Sequence, residues 1–189
     1  MLYALSAFFY RTASWKSLLL AIVLYLPIPI FLLRPLEARL NQLAGYEIGP
    51  IDLLIFEFDP ARIQKMVADY GLQGRAIYAQ GALIDDTIYP IIYTFLFCVI
   101  LSLLYRRRVV APGSLVNIFP VTSLVFDLLE NAFIITLLRG YPAPQPTVAV
   151  LCLVASNLKW LSLFITAVLA IYGLVRLIKQ RAVTGKLSA

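Results

Sequence analysis

Residues 115–138 read LVNIFPVTSLVFDLLENAFIITLL, an apolar run broken by only two charges, Asp127 and Glu130. A bilayer-spanning helix needs about 20 such residues, so this stretch predicts a membrane helix. Wound as a helix, Ser123, Asp127, Glu130 and Asn131 fall at i, i+4, i+7 and i+8 and share one face. A polar stripe of that kind cannot face hydrocarbon, so it must look onto protein or water.

Working outward, further apolar runs occur at about 17–33, 83–105 and 147–178. Of the 189 residues, 61% are hydrophobic and 14% charged, against about 45–50% and about 25% in ordinary soluble domains. This composition excludes a soluble globule. It predicts an all-α membrane protein, a single membrane domain over 1–189 built as a four-transmembrane-helix bundle, with an extracytoplasmic, partly helical cap at about 34–82 between helices 1 and 2. Pro27 and Pro29 remove donors and are expected to kink or end span 1 near its outer side. No small-residue cleavage box follows that run, so it is read as an anchor and not as a signal peptide.

Basic residues set the orientation, because cytoplasmic flanks carry an excess of Lys and Arg. Arg11 and Lys16 precede span 1, Arg106, Arg107 and Arg108 follow span 2, and Arg176, Lys179, Arg181 and Lys186 close span 4. Four spans put these clusters on one side, with both termini cytoplasmic. No Asp or Glu occurs in any segment so assigned. The basic residues flank spans and form no stripe with interleaved aromatics, which argues against a nucleic-acid partner despite the net charge of +6.

Within the outer segment, Asp59 followed by Pro60 is a helix start, Ile63, Met66, Val67 and Tyr70 recur at helical spacing, and Gly71 supplies the stop. The apolar stretch 48–58 has mixed period and is left open among strand, helix and re-entrant loop. Residues 2–10 are aromatic and apolar, as in an interfacial helix.

The chain has no histidine. Bis-His haem, His-ligated zinc and Ser-His or Cys-His nucleophilic devices are therefore excluded. Cys98 and Cys152 stand singly in apolar runs, as small buried hydrophobes do.

Chemistry is expected where ionisable groups enter the spans. Asp127, Glu130, Lys159 and Asp86 are the candidate catalytic groups, with Lys159 as the natural countercharge of span 3. On span 2, Arg75, Tyr78, Asp85 or Asp86, Tyr89 and Tyr93 recur at three- and four-residue spacing, and with Asn131, Asn157 and Trp160 they are the expected substrate-binding set. Pro90 frees the carbonyl of Asp86 four residues earlier, adding an oxygen to the mouth of the pocket. The four acids outnumber Lys159 and Arg75, so either some acids keep their protons or a divalent cation such as Mg²⁺ is held, with Asp85 and Asp86 as its ligands. The competing reading of each group is structural, a buried ion pair that fixes helix register.

The segments Tyr70-Gly71 with Gly74-Arg75, Asp86 with Tyr89-Pro90, and Phe126-Asp127 with Glu130-Asn131 resemble the YG-x-x-GR, D-x-x-YP and FD-x-x-EN motifs of a group of small four-span bacterial membrane proteins. The resemblance covers about residues 45–165. It implies a bacterial inner-membrane protein and carries no activity with it. Vitamin K epoxide reductase-like proteins fit worse, since they require paired thiols.

Three functions follow as expectations. The first is an enzyme that isomerises, cyclises or alters the headgroup of a lipid or isoprenoid by general acid and base chemistry, Asp127 or Glu130 giving the proton, with Arg75 as clamp should the headgroup be phosphorylated. The second is a small proton- or cation-coupled transporter or channel, working as a homo-oligomer because four spans make a narrow conduit. The third is a non-catalytic scaffold or assembly factor that binds partners through the cap.

Overall fold

The computed structural model describes residues 1–106 and 114–186, without the side chains of Asp85 and of residues 181–186. Arg107, Arg108 and the side chains of Asp85, Arg181 and Lys186 thus lie outside the described set. Among the described residues the chain is helix and turn with no strand. Four helical stretches are long and apolar enough to cross a membrane: Trp15–Ala44, Gly71–Tyr105, Val116–Gly140 and Pro146–Gln180.

The amino-terminal helix α1 (Leu2–Thr12) exposes Leu2, Tyr3 and Phe8 and buries Ser6 and Phe9. Its polar anchor is a knot at Asn117, which accepts from Ser6 Oγ at 2.7 Å and donates to Ser6 O and Ser102 Oγ, each at 3.0 Å. The knot ties α1 to α5 (Gly71–Tyr105) and to the short turn Val116–Ile118, while the Tyr10 hydroxyl of α1 is buried without a hydrogen-bond partner among the described residues.

Helix α2 (Trp15–Tyr25) starts on a capping box between Ser14 and Ser17. The prolines do not end this span. The missing donors are absorbed by a π-helical turn, Pro29–Leu33, and the helix continues as α3 (Arg34–Ala44) until Gly45 closes it at φ 79°. Span 1 therefore runs past its expected end at 33, and the connecting segment begins at Gly45 instead of 34. Gly81 on α5 lets α3 approach closely, because a Cβ there would lie 2.7 Å from the Leu36 side chain.

Between α3 and helix α4 (Pro60–Asp69), residues 46–59 form a loop with one 3₁₀ turn, Ile51–Leu53. Asn41 Oδ1 accepts from the amides of Ile48 and Gly49, at 3.0 and 2.9 Å, and Tyr70 donates to Gly49 O at 2.7 Å. Helix α4 begins as expected, with Asp59 Oδ1 accepting from Ala61 N at 2.9 Å and Pro60 at the first turn. Gly71, at φ 65°, turns the chain directly into α5.

Helices α6 (Val121–Gly140) and α7 (Pro146–Lys186) pack against each other and against α5, and α2 and α3 pack along α5. The interior is tiered. One apolar cluster joins Leu40, Ile51, Ile63, Val67 and Tyr78 to Leu137 and Cys152, and a second joins Phe9, Cys98, Val99 and Ile118 at the other end. Both cysteines are buried and free. Between the two clusters lies a polar tier: Asp86, Asp127, Glu130, Asn131 and Lys159, all buried.

Candidate functional site

Helix α6 delivers Ser123, Asp127, Glu130 and Asn131 to the interior on one face, as their spacing predicts. Facing it, α7 supplies Lys159, whose Nζ lies 2.5 Å from Glu130 Oε2 with the side chains 6% and 0% exposed. The ammonium also donates to the Asp52 carbonyl at 3.0 Å and sits 5.2 Å from the Trp160 ring centroid. So extensive a set of partners is what a buried ammonium needs to offset lost hydration. The countercharge of Lys159 is therefore Glu130, with Asp127 left to other partners.

Asp127 is held by two donors, Tyr93 Oη to Oδ2 at 2.8 Å and Asn131 Nδ2 to Oδ1 at 3.3 Å. Asn131 Nδ2 also reaches the Asp86 carbonyl at 2.6 Å, the oxygen that Pro90 deprives of its helical donor. Tyr25 and Tyr89 stack with centroids 5.6 Å apart and their hydroxyls 3.1 Å apart, and Tyr89, Tyr93 and Phe97 continue edge to face.

These groups surround a cavity of about 470 Å³, within the range of small-molecule sites. Tyr25, Pro29 and Leu33 form its wall on span 1, and Asp86, Tyr89, Pro90, Tyr93 and Phe97 its wall on α5. Asp127 comes from α6, and Lys159, Trp160 and Leu163 come from α7. Arg34, Leu36 and Glu37 of α3 and Pro50, Asp52 and Leu53 of the loop complete it. Trp160 Nε1 and Asn131 Oδ1 are buried with no protein partner.

The expected substrate-binding set is only partly gathered here. Asp86, Tyr89, Tyr93 and Trp160 line the cavity, together with Asp127 and Lys159. Glu130 and Asn131 stand behind the wall and hold its residues in place. Arg75 points elsewhere: it donates to the Val67 and Ala68 carbonyls at the end of α4 and stacks 3.9 Å from the Tyr141 ring centroid. Tyr78 is buried above the cavity, where its hydroxyl accepts from Ile51 N at 2.8 Å and donates to Asp52 Oδ1 at 2.6 Å. Asn157 donates to the Glu57 carbonyl at 2.8 Å and Ser156 to that of Leu54 at 3.3 Å. With Lys159, these residues satisfy loop carbonyls that non-helical backbone would otherwise leave open. The polar stripe of α7 is thus largely a loop anchor.

Glu57 itself accepts from the amides of Asp59 and Phe58 and from Arg62, and in that order these bonds hold its carboxyl below the usual range. Nearby, Asp69 takes donors from Lys65 and Tyr46, which lower its pKa in the same way.

Sequence reasoning passed over Asp52, Arg34, Glu37 and Tyr25. Asp52 carried a signal, being with Glu57 one of two acids in the apolar run 48–58. Arg34 and Glu37 are brought in by the helix that continues through the prolines, and Tyr25 sits at the end of α2 just before them. Among the described residues no group of three Asp, Glu or Cys side chains gathers as a metal would require; of the two expected ligands Asp86 lines the cavity, and the side chain of Asp85 lies outside the described residues.

The arrangement can bind an apolar molecule against aromatic faces and present to it one carboxyl group fixed by two donors. No family model matches this chain, and neither a curated protein nor a solved structure matches it.

Proposed function

We propose that this chain is an integral membrane enzyme that acts on a lipid or isoprenoid substrate by general acid and base chemistry centred on Asp127. The observation that carries the reading is the setting of that carboxyl group: oriented by Tyr93 and Asn131, and facing an aromatic-lined cavity within the membrane tier. Span 1 and α7 both line the cavity, yet their mutual packing is sparse compared with that of either on α5. That gap offers a lipid a sideways way in. Proton transfer from Asp127 to a double bond generates positive charge, and Tyr89, Tyr93, Phe97 and Trp160 are the π faces that stabilise it.

The same proposal places the protein in a bacterial inner membrane with both termini in the cytoplasm and residues 45–70 as an outward cap. Its support is the charge pattern and the joining of basic segments at one end. Arg106 donates to Ala13 O at 2.9 Å, and Tyr105 donates to Leu169 O at 2.9 Å, about two helical turns before Arg176.

The experiment is lipid mass spectrometry on protein purified with its native lipids, beside reconstituted turnover of a labelled lipid extract. The parent protein retains and converts a lipid or polyprenyl species, while Asp127→Asn retains it and converts it about 10²–10⁴-fold more slowly. Normal conversion by Asp127→Asn overturns the proposal. So does ion flux in proteoliposomes that depends on Asp127 while no lipid of the labelled extract is converted, which is the transporter's result.

A further inference from the structure

We infer that the cavity is a slot for one chain: it takes a single-chained amphiphile of about 12–14 carbons, polar end beside Arg34 and Glu37 and chain end against Phe97, so that Phe97 sets the length of chain accepted. This rests on the reading of the cavity as a lipid site, and it names the class of lipid and the residue that selects it.

The walls give the length. On α5 the lining residues Asp86, Tyr89, Pro90, Tyr93 and Phe97 fall at i, i+3, i+4, i+7 and i+11, one face of the helix, and at about 1.5 Å per residue this wall is about 16 Å long. Span 1 runs antiparallel to it, Tyr25 bonded to Tyr89 and Leu36 resting on Gly81. Its own lining reaches from Tyr25 to Glu37, about 18 Å by the same rise. Two helices thus agree that the cavity is drawn out along the bundle. An extended carbon chain advances about 1.2 Å per bond, as an extended backbone does over its three bonds per residue, so about 13 bonds fill the shorter wall.

The volume gives the width. Spread over that length, about 470 Å³ leaves a section about 6 Å across, and since extended chains lie about 4.7–4.9 Å apart even when paired, there is room for one and not for two. The two ends differ in chemistry. Arg34, Glu37 and Asp52 gather at one, where α3 and the loop meet the cavity. At the other, Phe97 and Leu163 are the last lining residues of α5 and α7, and Phe97 lies edge to face with Tyr93. The next residues of α5, Cys98 and Val99, are buried in the second apolar cluster, so the floor beyond Phe97 is packed. A polar group belongs at the first end and hydrocarbon at the second.

The test follows the emission of Trp160 in Trp15→Phe protein in zwitterionic nanodiscs, Trp15 being exposed and no part of the lining. Decanol, tetradecanol and octadecanol are titrated in turn, each as a ratio to nanodisc lipid. Methylenes that leave lipid for an equally apolar slot gain little, so decanol and tetradecanol are expected to half-saturate at similar ratios. Octadecanol, too long for the slot, is expected to need a ratio about tenfold higher, one decade in affinity. Phe97→Ala and the milder Phe97→Leu bring octadecanol back toward tetradecanol. Both leave decanol, which ends short of Phe97, where it was, and this also shows that the variants keep their fold.

Octadecanol binding to the parent protein as well as tetradecanol overturns this inference and leaves the lipid reading standing, with a cavity that does not measure its guest. A length limit that neither substitution moves, or loss of decanol binding in both variants, overturns it as well, since the stop is then not the work of Phe97. Failure of all three alkanols to move Trp160 overturns both this inference and the lipid reading beneath it.

Discussion

Asn131 Nδ2 lies 2.6 Å from the carbonyl oxygen of Asp86, supplying from α6 the hydrogen bond that Pro90 withholds on α5. A side chain of one span thus repairs the backbone of another, and the repair fixes the height of α6 against α5 at the level of the cavity. Asn131→Ala leaves a buried carbonyl open and is expected to cost about 1–3 kcal/mol. Pro90→Ala restores the helical donor, so the same Asn131 substitution made in that background costs less. A double-mutant cycle of unfolding in detergent measures the difference, and equal costs in both backgrounds contradict the repair.

Lys159 and Glu130 behave as a unit. Removing either alone, as Lys159→Met or Glu130→Leu, strands a charge among buried groups and is expected to cost about 3–5 kcal/mol. The double substitution recovers a large part of that loss, as read by thermal unfolding of the purified protein. Its loop anchor at the Asp52 carbonyl stays lost.

Filling the cavity separates binding from stability. Leu163→Trp projects a ring into a space of about 470 Å³ and is expected to abolish retention of the co-purifying lipid, with a change in stability within about 1.5 kcal/mol. Mass spectrometry of the purified variant and its melting temperature check the two halves.

The α7 stripe anchors the loop. Asn157→Ala removes the donor to the Glu57 carbonyl and is expected to speed amide exchange across 53–58 while costing about 1 kcal/mol overall. Exchange in α6 stays as it was.

Acid also acts on the same loop. The folded-state pKa of Glu57 is depressed by the amides of Asp59 and Phe58 and by Arg62, so its stabilisation is present above the ordinary carboxylate pKa and is lost as pH falls through the depressed value. Limited proteolysis of 53–62 should therefore accelerate below the usual carboxylate range. Glu57→Gln flattens that profile and leaves the part due to Asp69, which is depressed by Lys65 and Tyr46.

Where the sequence dictated structure through a single helix, it could be read. The α6 stripe, the Asp59-Pro60 start, the Gly71 stop and the freed Asp86 carbonyl all follow from helical period and from which residues lack a donor or tolerate positive φ. Legibility failed where two segments decide together. Arg75 and Tyr78 share the period of Tyr89 and Tyr93, but α4 and the loop occupy the space beside them, so periodicity could not tell a cavity wall from a packed one. Asp52 lies in a stretch without period, held by side chains a hundred residues away, such as Asn157 and Lys159. Arg34 and Glu37 depended on whether Pro27 and Pro29 would stop a helix or be absorbed by a π turn, a local balance that packing against α5 settles.

The sparse packing between span 1 and α7 bears on how this protein must be assayed. A guest that arrives through that seam is drawn from a two-dimensional solvent, so its effective concentration is a mole fraction of the bilayer. Adding inert phospholipid at constant total guest should slow turnover, whereas adding buffer should not. Surface dilution, and not bulk titration, sets the kinetic scale.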